Sequence, residues 1–221
     1  MIFLIPARSG SKRIKNKNIL RFKNKTLLDF TLDLFENSNL KKFVYVSTNS
    51  RKIISNCKKR KTKFILRPYK ISRDRSLVED AMIHFLKKKK NELKNKKWLV
   101  LLQITSPLRN KKVLKRFSKY LMLQNKNINT VISVTKTKKD FWKEYKGKLI
   151  RLSPSAPRRE QERNEIYEEN GLFYAVKIDY FLKHKKIVSG NVRKFITPKE
   201  ISLDINDKFD LKLFKFLISK K

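Results

Sequence analysis

The sequence predicts an α/β fold built on a mostly parallel, doubly wound sheet, and three observations lead there. Short runs of apolar and β-branched residues recur along the 221-residue chain. These runs are apolar on both faces, as expected of strands covered on both sides. Between them lie segments whose apolar residues repeat at three and four, and strand–helix alternation at this spacing belongs to a parallel sheet with helices over both faces.

The elements follow in order. Ile2–Ile5 opens the sheet: it runs straight into Pro6 and a basic loop with no charged segment ahead of it, which reads as a first strand and not as a signal peptide. Helix 26–35 buries Leu27, Leu28, Phe30, Leu32 and Phe35. Strand 43–47, helix 51–59 and strand 63–66 come next. Helix 77–88 carries Val78, Met82, Phe85 and Leu86 on one side, with Glu79 and Asp80 early, where the helix dipole favours carboxylates. Strand 98–103, helix 111–123 and strand 130–134 continue the alternation. The polar stretch 136–169 then breaks it: Pro154 and Pro157 interrupt it, and it has a brief apolar spell at Leu149-Ile150. It is read as an excursion from the core, either an arm used in dimerisation or a long surface loop. Strand 172–176 and a final helix over 208–218 complete one domain spanning 1–221.

Charge is the loudest feature of the composition: 57 Lys and Arg stand against 19 Asp and Glu, a formal net of +38. A basic nucleic-acid-binding protein is therefore the rival from another functional class, and it predicts tight, steeply salt-dependent duplex binding. The basic residues are spread over the whole chain and travel with Asn, Ile and Phe, as in AT-rich genomes, so nucleic acid is not taken as the main partner. The same field would raise the encounter rate of an anionic substrate. No apolar run approaches the ~20 residues of a membrane span. Cys57 is the single cysteine, which excludes an intrachain disulfide and fits a reducing, cytoplasmic setting; it reads as an ordinary helix residue.

Ligands in doubly wound sheets bind outside the carboxyl ends of the strands, so the segments that follow strands matter most. After the first strand comes Pro6-Ala7-Arg8-Ser9-Gly10-Ser11-Lys12-Arg13, with Lys15, Lys17 and Asn18 beyond. Small residues let the backbone approach an anion, and several cations can hold a triphosphate. The segment is neither GxxxxGK[ST] nor GxGxxG, and by composition it is a phosphate loop or a plain basic turn. Arg8, Lys12 and Lys17 suit phosphate charge, and Ser11 and Asn18 can orient hydrogen bonds. Gln103, Thr105 and Ser106 offer short uncharged polar groups at a strand end; a turn set by Pro107 and a helix cap explain them equally. In a chain poor in carboxylates, Asp204, Asp207 and Asp210 cluster. An extended segment would turn Asp204 and Asn206 to one side, and two oxygen ligands there suit Mg²⁺. Asp207 and Asp210 are read as first-turn residues of the last helix, and His84 as a structural histidine.

As an ordered string, IPARSGSKRIKNKNI resembles the N-terminal signature of the acylneuraminate cytidylyltransferase family. VSTNS (46–50), RPYKISRDRSLVEDAMIHFL (67–86), LLQITSPLR (101–109), YEENGLFYAVK (167–177) and SLDINDKFDL (202–211) resemble further blocks of that family, in its order. The resemblance implies a Rossmann-like sheet of the nucleotidyltransferase type, a homodimer, and transfer of CMP from CTP to an acidic nine-carbon sugar with release of pyrophosphate. That sugar would be a sialic acid or a relative of the legionaminate or pseudaminate type. The resemblance also implies CTP phosphates held by Arg8, Ser11, Lys12, Lys17 and Asn18, Arg67 near the nucleotide, and Gln103, Thr105 and Ser106 on the sugar. Mg²⁺ would sit on Asp204 and Asn206, with Arg8, Lys17 and Asp204 as the catalytic set. Two departures stand out. Asn206 occupies the second position of an Asp-x-Asp pair, which leaves room for a nucleotide-binding member with reduced activity. Arg158, Arg159 and Arg163 crowd a region where the family brings one arginine toward the neighbouring active site.

Overall fold

The computed structural model describes residues 1–10, 14, 17 and 20–220. Its centre is a seven-stranded sheet in the order β11-β7-β10-β6-β1-β4-β5. The strands are β1 Ile2–Pro6, β4 Val44–Thr48, β5 Lys63–Leu66, β6 Trp98–Leu101, β7 Thr130–Thr137, β10 Ile166–Lys177 and β11 Val192–Ile196. β5, β4, β1 and β6 pair in parallel, as do β7 and β11, while β10 runs antiparallel to both of its neighbours. The expected mostly parallel sheet is therefore present, with one reversed strand.

Alternate residues of each strand go to opposite layers. Phe3, Ile5, Val44, Val46, Val100 and Phe173 pack under α2 (Arg51–Lys59) and α4 (Lys111–Met122), with Leu28 and Leu32 of α1 (Leu27–Asp33). Ile2, Leu4, Tyr45, Leu99, Leu101 and Val176 face Met82, Phe85 and Leu86 of α3 (Val78–Lys88) and Phe181 of α5 (Ile178–His184). Burial on both faces explains why these strands read as unbroken apolar runs.

A third, smaller cluster lies under the carboxyl edge of the sheet. Ile14, Leu108, Ile205 and Phe214 join Phe22 and Leu27 there. Phe214 belongs to α6 (Lys208–Ser219), and its ring meets Phe22 edge-on at 5.2 Å between centroids. Phe22 comes from a two-residue-strand hairpin, β2 Arg21–Phe22 and β3 Lys25–Thr26. Through Ile14, Leu108 and Ile205 this cluster holds the segment after β1, the loop after β6 and the acidic segment against one another.

Three local readings need correction. The excursion expected over 136–169 overlaps the main sheet at both ends, because β7 reaches Thr137 and β10 starts at Ile166, where the two pair as a ribbon. Between them stands an antiparallel hairpin, β8 Trp142–Tyr145 and β9 Lys148–Arg151. Its turn is Lys146-Gly147, with φ of 49° and 73°, the pair of left-handed residues that a tight hairpin favours. Strand β6 stops at Leu101, so Gln103 follows the strand and does not end it. Strand β11 and helix α5 went unrecognised in the sequence: β11 reads Val-Arg-Lys-Phe-Ile, mostly exposed and without the apolar alternation of a core strand.

Candidate active site

The carboxyl edge of β1, β4, β5 and β6 carries two adjoining clefts. The smaller, of about 270 Å³, is lined by Arg8, Gly10, Lys17, Arg67, Gln103 and Thr105, among others. The larger, of about 820 Å³, is lined by residues that include Gln103, Thr135, Lys139, Glu169, Gly171, Tyr174, Lys199, Asp204 and Asn206. Gln103 belongs to both, so a molecule in either cleft has this side chain at its boundary. A further groove of about 730 Å³, between the β2–β3 turn and α2, contains none of the motif residues.

The small cleft is cationic by construction. Arg8 follows β1 and pairs with Asp74 at 2.7 Å, both groups partly exposed. Arg67 follows β5 and is buried; its guanidinium donates to the Ser47 carbonyl at 3.0 Å, and its Nε has no partner among the described residues. Burial, with Arg8 close by, pushes Arg67 down to about 10. Two guanidinium groups held near each other in a partly dry site are the arrangement a polyphosphate would relieve. Asn49 clamps the loop: its Oδ1 accepts from Ser9 N at 2.8 Å and its Nδ2 donates to Ser9 Oγ at 2.8 Å.

Lys17 is buried, and its ammonium donates to the carbonyl of Ile205, the residue between Asp204 and Asn206. The backbone N–H of Ile205 donates in turn to the Thr105 carbonyl at 2.8 Å. Lys17 and Thr105 thus grip the acidic segment from two sides. Ser11, Lys12 and Asn18, three of the expected phosphate ligands, lie outside the described residues.

At the large cleft β10 bulges around Asn170-Gly171, where its register on β7 shifts between Glu169 and Tyr174. A bulge of this kind re-aims a strand beside a site. The Asn170 amide nitrogen lies 2.8 Å from Thr135 Oγ1, 2.7 Å from Thr197 Oγ1 and 3.2 Å from Ser202 Oγ, a buried knot that ties β7, β10 and the segment after β11. Gly171 has φ +71°, and a Cβ there would meet Gln103 Oε1 at 3.5 Å, Ser106 Oγ at 3.6 Å and Asp204 Cγ at 4.0 Å. Gln103, Ser106 and Asp204 therefore converge on one glycine. Of the three expected sugar ligands, Gln103 and Thr105 line a cleft; Ser106 is fully buried behind Gly171 and lines neither. Tyr174 donates to Glu169 Oε1 at 2.5 Å, and burial, then Glu169 and Asp204, push its phenol above its ordinary range.

The acidic segment is not a strand, yet Asp204 and Asn206 do meet: Asn206 Nδ2 donates to Asp204 Oδ2 at 2.8 Å. The other carboxylate oxygen, Oδ1, is buried without a partner among the described residues. An orphaned carboxylate oxygen beside a polar cleft fits a cation, and the Asn206 carbonyl is the atom that residue can add. Among the described residues no group of three or more His, Cys, Asp or Glu could hold a metal on its own. Asp207 caps α6, accepting from Asp210 N at 2.9 Å, while Asp210 Oδ2 accepts from Asn206 N at 2.8 Å and Asp207 N at 3.1 Å. These two carboxylates serve the helix start, as read from the sequence.

The geometry is that of a sheet-edge site with a cationic half and an acid-bearing half. A family profile described as cytidylyltransferase matches residues 2–212. The chain belongs to this cytidylyltransferase family.

Two similar proteins and one similar structure show how the match is distributed. An N-acylneuraminate cytidylyltransferase of Streptococcus agalactiae serotype III is 27% identical over 221 residues, covering 95% of this chain and 51% of that protein. The chain thus spans about half the length of that relative. A pseudaminic acid cytidylyltransferase of Campylobacter jejuni (strain 81-176) is 25% identical, covering 97% of this chain and 94% of that protein. The fold matches a CMP:2-keto-3-deoxy-manno-octonic acid synthetase complexed with CTP at a TM-score of 0.72 and 14% identity, covering 99% and 98% of the two chains.

Sequence reasoning missed Asn170 as a structural knot and Arg109 as a buried clamp. Arg109 stood in the quoted motif, but nothing in its sequence neighbourhood marks it for burial. Arg158 and Arg159 are exposed on the arm, whereas Arg163 is folded into it, bonded to the carbonyls of Pro157 at 2.8 Å and Lys138 at 3.1 Å. Cys57 is fully buried in α2, and burial pushes its thiol up to about 11, so it is inert packing.

Proposed function

We propose that the chain transfers CMP from CTP to the anomeric hydroxyl of a nine-carbon 2-keto acid sugar, with pyrophosphate as the second product. The observation that carries this reading is the shared wall at Gln103: cations line the cleft on one side, and on the other stands the half-buried Asp204 carboxylate, with one oxygen buried. The triphosphate lies against Arg8, Lys17 and Arg67, joined by Ser11, Lys12 and Asn18. The sugar lies against Gln103, the side chain the two clefts share, with its reacting oxygen turned toward the α-phosphorus and toward Thr105 on the cationic side. A bond forms from that oxygen to the α-phosphorus as the bond to the oxygen bridging to the β-phosphate breaks; pyrophosphate leaves with that oxygen, and the hydroxyl proton passes to water beside Asp204. Positioning and fixed positive charge supply most of the catalysis. Asp204, with the Asn206 carbonyl, would hold Mg²⁺, and the ion when bound supplies neutralisation of phosphate charge.

The sugar is N-acetylneuraminate or a pseudaminate or legionaminate relative. The names of the similar proteins support an acylneuraminate and a pseudaminate, at comparable identity. In the proposed homodimer, the β8–β9 hairpin supplies the contact, since Trp142, Tyr145 and Leu149 stand exposed on it. Mass spectrometry of reactions containing CTP and each sugar in turn tests the reading. A CMP-sugar from at least one of them is expected; CTP returned intact from every reaction, with folded protein, would refute it.

A further inference from the structure

Arg109 is the most deeply buried charge described in the molecule that the proposed reaction does not use. It follows the loop after β6, and its guanidinium reaches back under the sheet edge. Nη1 donates to the Leu172 carbonyl at 2.5 Å, and Nη2 donates to the Gln103 carbonyl and, at 3.4 Å, to Thr31 Oγ1. The guanidinium carbon lies 5.9 Å from the Phe173 ring centroid. Leu172 directly follows Gly171, so a single planar group holds both chain segments that frame the acceptor side of the site. Burial pushes this guanidinium down to about 9, and Asp204 is the opposing charge that works to keep it protonated. Its Nε has no partner among the described residues, which leaves the group without a surplus of bonds. An arginine suits this place better than a lysine, because its planar fork sets two separate nitrogens against the Leu172 and Gln103 carbonyls, whereas a lysine brings a single nitrogen.

We infer that Arg109 is a positioning residue for the acceptor: it sets the spacing of Gln103, Gly171 and Asp204, and so orients the sugar without touching either substrate. The inference rests on the functional reading above. It assigns the clamp to the wall between the clefts and to the Gly171 turn, and not to the cationic side chains. The Arg109 bonds go to Gln103, which borders both clefts, to Leu172, the buried neighbour of Gly171 in the large cleft, and to Thr31 of α1; none goes to Arg8, Lys17 or Arg67.

The test is Arg109→Lys in the full chain, with folding checked by thermal melting and CTP affinity measured directly by calorimetry. A lysine keeps the charge and loses the fork. The expected result is a rise of about tenfold to a hundredfold in KM for the sugar, or an equal loss of kcat/KM for the sugar, the scale on which a misplaced reacting group acts. CTP affinity stays within about twofold. A role in general stability alone would instead weaken CTP and sugar together, or lower the active fraction and leave both KM values unchanged. If Arg109→Lys does not fold, Thr31→Val carries the test, since it removes one support of the guanidinium from outside both clefts. A smaller rise in sugar KM with unchanged CTP affinity is then expected, and unchanged kinetics for the folded variant would overturn the inference. A wild-type protein inactive on every sugar would count against the function itself; an active wild type with an unaffected Arg109→Lys would count against the clamp alone.

Discussion

Gly171→Ala is a small change with a calculable outcome. The new methyl would sit at ordinary contact distance from Gln103 Oε1 at 3.5 Å, Ser106 Oγ at 3.6 Å and Asp204 Cγ at 4.0 Å, so it clashes with nothing. The cost comes from the backbone: φ is +71°, in the left-handed region, where a side chain costs about 1–2 kcal/mol. For a chain of this size about 1 kcal/mol moves the midpoint by roughly 2–4 °C, so melting should fall by about 2–8 °C. The methyl also covers Gln103 Oε1 at the acceptor edge. Losing one neutral hydrogen bond there, about 0.5–1.5 kcal/mol, predicts a rise in sugar KM of roughly twofold to thirteenfold. Calorimetric melting and initial rates at varied sugar and fixed CTP measure both effects. Unchanged melting would refute the strained backbone, and unchanged sugar kinetics would refute the placement of Gly171 at the acceptor edge.

Four other outcomes follow from the geometry. Lys17→Ala removes the donor to the Ile205 carbonyl; it should lower turnover by about 10²–10³-fold, the scale of a lost charge-stabilising donor, and lower stability by about 1–3 kcal/mol, as read by steady-state rates and urea melts. Asn206→Asp places a second carboxylate beside Asp204, and the half-saturating Mg²⁺ concentration in a rate titration should fall by about tenfold, ~1.4 kcal/mol. Glu92 is held down to about 2, from 4.5, first by the bond from Lys89 and then by that from Tyr45; its contribution is present above pH 4.5 and lost as pH falls through about 2, so Glu92→Gln should flatten acid unfolding in that window. Leu149→Asp on the β8–β9 hairpin should convert a dimer to a monomer in light scattering, and a monomeric wild type would remove the hairpin from that role.

The sheet was legible where physics leaves a repeating mark. Ile2–Ile5, Val44–Ser47 and Trp98–Leu101 are covered on both faces and so read as unbroken apolar runs, and the caps at Thr26, Ser50, Asn110 and Asp207 fix helix starts that the periodicity already located. Strand β11 and the hairpin were not legible, because exposed Val192, Arg193 and Lys194, or Trp142 and Lys143, carry no alternation to read. The site divides in the same way. Arg8, Lys17, Arg67 and Gln103 follow strands, and topology brings strand ends together, so their meeting at one edge follows from the fold. The seat of Asp204 does not, since it depends on a coil segment pinned by Lys17, Thr105 and the Phe214 cluster. The burial of Ser106 and the reach of Arg109 likewise depend on a bulge at Asn170-Gly171 that no pattern of apolar residues encodes.

The most direct test of the central claim is pyrophosphate release with Mg²⁺ present, measured with CTP alone, with a sugar alone and with both, beside ATP, GTP and UTP. The account predicts release only when CTP and an acidic nine-carbon sugar are present together, and its loss in Asp204→Ala protein that remains folded. Release without the sugar, equal release from another nucleotide, or full activity in Asp204→Ala would contradict it.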